Sequence, residues 1–207
     1  MTLNVTENLL ECQKFDGPDI LSRHLYTREC EIGEITKYIY QELIKRNGSQ
    51  STLTLENFCF DQSMIDEIVK LADKKFDGHT AACSPAQRSY PLAFCQYISD
   101  DDLFDFTMLE AKLTHYSPIA GQVAVFTTPR LHNDIQNVLL CHRRYVYPDV
   151  KARVVYAPTV LNDALYFVDG WENTTQVTAN AHRKDKYYCA PIVGILAGAR
   201  CEISEET

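Results

Sequence analysis

The sequence predicts an all-α fold, and three observations carry that prediction. Apolar residues recur at i, i+3, i+4 and i+7 along most of the chain. Several prolines stand where a helix would begin, at a position whose N–H has no intrahelical partner to lose. The chain has 207 residues, 45% of them hydrophobic, so one large core needs no disulfide or metal staple.

Along the chain, Asp16-Gly17-Pro18 opens a helix with a proline start signal. Residues 34–46 set Ile35, Tyr38, Ile39, Leu43 and Ile44 on one stripe, and Asn47-Gly48 supplies a stop. Residues 62–76 repeat the pattern with Met64, Ile65, Ile68, Val69, Ala72 and Phe76. Asp61 or Ser63 caps the front of that helix, and Lys74 and Lys75 suit its negative end. From His79 to Pro91 the chain is rich in small residues and reads as a loop. A helix over about 101–113 carries Leu103, Phe104, Met108 and Ala111, with three aspartates (100–102) at its positive end. Ser117-Pro118 and Ala157-Pro158 open two more helices, and the stretch from Val154 through Val155 to Tyr156 is strand-like. In the last helix, 189–200, Ala190, Gly194 and Gly198 recur every four residues. Two glycines in a helix cost roughly 1 kcal/mol each against Ala, so the spacing predicts a central helix that another helix approaches closely.

A net charge of −8 repels phosphate backbones and anionic lipid, so neither nucleic acid nor a membrane is an expected partner. No apolar run reaches the roughly 20 residues of a membrane span. The opening residues lack a basic n-region, which points to a cytoplasmic protein with nuclear residence also open. The eight cysteines are scattered without a CxxC pair, as expected of reduced and mostly buried thiols.

Candidate chemistry is sparse. The three aspartates at 100–102 suit helix-start electrostatics better than metal binding, because sequential acids diverge in direction. Cys83 and His115 pair as nucleophile and base on paper only, since no oxyanion-hole signature surrounds Cys83. In the 79–91 loop, Arg88 admits two readings: a fork of donors for an anion, with small residues such as Ser84 letting backbone N–H groups approach, or a surface arginine in a connection. His115, in Thr114-His115-Tyr116-Ser117-Pro118, is either a functional imidazole or a capping and core hydrogen-bonder.

Three segments in order give these pieces a resemblance. Residues 88–93 (RSYPLA), 113–120 (LTHYSPIA) and the glycine-spaced 190–199 resemble motifs of the ADP-ribosylglycohydrolase family, with a flavour closest to its crystallin J1-related branch. Residues 156–167 are similar to the family's penultimate helix, and residues 3–25 to the helices after its first acidic motif. The resemblance implies one domain over 1–207, a compact orthogonal helical bundle corresponding to the later portion of the family domain. It also implies ligand contacts by Arg88, His115 and Ser84, and two magnesium ions held by a front Thr-Asp-Asp motif and a rear Gly-Gly-Asp-Thr-Asp-Thr motif.

The chain departs from that pattern at both metal motifs. No front motif is present, and the rear one falls on Arg183-Lys184-Asp185-Lys186-Tyr187-Tyr188. Asp185 is a vestigial ligand, with Tyr187 and Tyr188 in the places of the second acid and the threonine. Magnesium needs carboxylate-rich octahedral oxygen, whereas a phenol with a pKa near 10 is neutral at pH 7. The expectation is a non-catalytic relative without a cofactor that retains recognition of an ADP-ribose-like ligand. One alternative is an active hydrolase with His115 and Asp185 near the sugar and magnesium from unconventional ligands; another is a purely structural crystallin-like protein. The absent front segment predicts an exposed apolar groove filled by self-association or a partner chain.

Overall fold

A computed structural model of the protein describes residues 1–27, 32–47, 60–128, 156–169, 174–184 and 189–201. The first half contributes α1 (Thr2–Cys12), α2 (Gly17–Thr27), α3 (Glu34–Arg46), α4 (Gln62–Lys75), α5 (Ser84–Arg88) and α6 (Pro91–Phe94). The second half contributes α7 (Asp100–Lys112), α8 (Pro118–Phe126), α9 (Ala157–Asp169), α10 (Thr174–Lys184) and α11 (Cys189–Cys201). Among the described residues no strand forms, and the fold is all-α. Tyr156 makes only an isolated antiparallel bridge to Ala82, while Val154 and Val155 lie outside the described residues.

Local chemistry accounts for the boundaries. Asp61 caps α4 by accepting from the Met64 N–H at 2.7 Å, and Ser99 caps α7 by accepting from the Asp102 N–H. The α4 helix closes with Asp77 and Gly78 at φ 50° and 74°, where the Gly78 N–H donates to the Asp73 carbonyl, the bond that needs a left-handed residue. Pro118 opens α8 at its first position, whereas Pro18 and Pro158 stand second in α2 and α9. That placement is equally tolerated, because the first four N–H groups of a helix have no partner inside it. Asn8, buried in α1, shapes the first hairpin: it donates to Asp19 at 2.8 Å and accepts from the Asp16 N–H at 3.2 Å. Arg23 adds ion pairs from α2 to Asp19 and, across to α1, to Glu11.

The buried apolar residues fall into two clusters. One gathers residues of α1–α4 with Leu92 and Leu113, and the other gathers Ala86 with residues of α8–α11. The α7–α8 hairpin packs tightly and joins the two, with α5 against it. Gly121 allows this closeness, since a Cβ there would stand 2.6 Å from Met108 Sδ.

Two expectations need correction. Segment 79–91 contains the short helix α5 and ends on the first residue of α6, and both helices are too short to show a 3.6-residue period. In α11 the buried face is Ile192, Val193, Leu196 and Ala197, while Gly194 and Gly198 lie on the half-exposed side. Among the described residues nothing stands within 4 Å of a Cβ built on either glycine. The close approach predicted there occurs instead at Gly121. Of the described cysteines, Cys83, Cys95 and Cys189 are buried and Cys12 is half-exposed.

Candidate functional site

Arg88 ends α5 and, among the described residues, is the largest fully buried side chain, at 1% exposure. A buried guanidinium must find both a counter-charge and acceptors. Glu110, on the inner face of α7 and fully buried, supplies the charge: Arg88 Nε donates to its Oε1. Arg88 Nη2 donates to Thr114 Oγ1 at 2.7 Å and to the Glu110 carbonyl at 3.3 Å. Ser89, the next residue, places its hydroxyl 2.6 Å from Glu110 Oε2 and 2.8 Å from the Pro85 carbonyl, one proton for two acceptors. Both carboxylate oxygens of Glu110 are therefore engaged. Thr114 Oγ1 lies 2.8 Å from His115 Nδ1, so a continuous chain runs from Glu110 through Arg88 and Thr114 to His115. The threonine oxygen accepts from Arg88 and keeps a second lone pair and its own proton, so the direction of its bond to Nδ1 follows the imidazole tautomer.

The surroundings enforce neutrality. Burial, and then the Arg88 charge, lower the His115 pKa to about 3. His24 on α2 is depressed by the same two causes in the same order. Burial raises the Tyr40 phenol, so it stays protonated. Three atoms near this cluster or on the adjoining face of α3 lack a hydrogen-bond partner among the described residues: His24 Nδ1, Thr36 Oγ1 and Tyr40 OH. Each is the kind of group that an ordered internal water satisfies.

Of the residues singled out in the sequence, the structure brings Arg88 and His115 together through Thr114, both buried. The surface-arginine reading of Arg88 is thereby corrected. Ser84 opens α5 on a half-buried position. Asp185, Tyr187 and Tyr188 lie outside the described residues, so their placement relative to His115 is not described. Sequence reasoning missed Glu110, Thr114 and Tyr40. The signal for Glu110 was its register: it lies i+7 from Leu103 and i+3 from Thr107, on the buried stripe of α7.

The magnesium pair implied by the resemblance does not fit this donor set. The rear segment offers one carboxylate flanked by three cations, and the described carboxylate nearest His115 in the chain, Glu110, is already paired with Arg88. Among the described residues no group of three or more His, Cys, Asp or Glu is placed to hold a metal ion.

A second feature is a surface groove of about 340 Å³ between α1 and the α6 region, lined by Leu9, Leu10, Tyr90, Phe94 and Tyr97 among others. Phe94 is 81% exposed and Leu10 70%. None of the described helices is long and apolar enough to cross a membrane. No family model matches the chain, and no curated protein matches its sequence.

Proposed function

We propose that the protein is a non-catalytic helical domain of the ADP-ribosylglycohydrolase type, in which any ADP-ribose-like ligand is held by groups other than the buried Arg88 and His115. The observation that carries this reading is the state of Arg88. Its guanidinium is committed to Glu110 and Thr114 in the interior, and His115 is held as a neutral, buried link in the same chain. A group that recognises a diphosphate must reach solvent and offer unspent donors. A general acid or base must have a pKa near the working pH, and a histidine near pKa 3 has none to offer at neutrality. The rear segment supports the same conclusion, because Arg183, Lys184 and Lys186 beside Asp185 repel divalent metal.

The test measures ADP-ribose release from ADP-ribosylated protein with and without Mg²⁺, alongside the thermal shift produced by free ADP-ribose. The expected outcome is no release under either condition. A shift with ADP-ribose that survives Asp185→Ala would identify the bound ligand as ADP-ribose-like. Release that Asp185→Ala abolishes would overturn the proposal in favour of a hydrolase.

A further inference from the structure

We draw no further inference here: the strongest candidate, the apolar surface groove between α1 and the α6 region lined by Leu9, Leu10, Tyr90, Phe94 and Tyr97, carries none because nothing in the structure shows what covers it.

Discussion

Arg88 and Glu110 illustrate at the scale of single residues how a buried charge constrains its neighbours. Removing one partner leaves the other ionised and unpaired away from water, a cost of about 3–5 kcal/mol. Replacing both by apolar groups of similar volume removes the charge problem altogether and is often close to neutral. Glu110→Ala is therefore expected to lower stability by about 3–5 kcal/mol in urea denaturation. The double change Arg88→Met with Glu110→Leu should cost much less than the sum of the two single changes. A Glu110→Ala variant within about 1 kcal/mol of the parent would mean the carboxylate does not carry the compensating charge. Thr114→Val is a milder probe of the same chain. It keeps the volume but strips an acceptor from Arg88 and the link to His115, so a loss of about 1–3 kcal/mol is expected.

Helices supply the next scale, and α11 offers the sharpest forecast there. Gly194 and Gly198 sit in its later turns with no described atom within 4 Å of an added Cβ. Each glycine adds backbone entropy to the unfolded chain without permitting a close contact to any described residue in the folded one. Gly194→Ala and Gly198→Ala are thus each expected to stabilise by up to about 1 kcal/mol, read as a rise in the denaturation midpoint. A fall in that midpoint at either site would show that the half-exposed face is filled. The same helix shows where sequence pattern stops being informative. Spacing revealed that Ala190, Gly194 and Gly198 share a face, but which face points inward depends on α9 and α10, and no local signal carries that. Helices α3, α4, α7, α8 and α9 were legible because their buried residues recur on one stripe or follow a proline start. In α1 the buried face alternates Asn4 and Asn8 with Val5 and Leu9, which blurs the stripe. In α10 the described buried residues are only Val177 and Ala181. Arg88 and His115 were visible as chemistry-bearing types, yet their burial depends on Glu110, more than twenty residues away in sequence from Arg88. That pairing is tertiary, and no spacing rule reaches it.

Across the whole molecule, the polar chain from Glu110 to His115 lies where the two apolar clusters meet, so its protonation state bears on the joint between them. His115 binds its proton only near pH 3 when folded, whereas an unfolded histidine does so near pH 6.5. Between those values the unfolded chain holds more protons than the folded one, so stability rises with pH across that window and is complete above it. His24 is shifted in the same direction by burial and by Arg88, so it adds a slope of the same sign. Each depressed histidine steepens the profile by up to about 1.4 kcal/mol per pH unit. Protonation would also set an imidazolium beside a guanidinium whose partner carboxylate, Glu110, is already engaged with Arg88 and Ser89. Urea midpoints measured from pH 7.5 downwards are expected to hold steady to about pH 6.5 and then fall progressively towards pH 4. His115→Gln keeps a neutral polar side chain at the position and removes the titration, so its profile should be flatter by about one histidine's slope. A parent profile that stays level, or rises, through this acid range would mean that His115 reaches water and that the two clusters do not close over it.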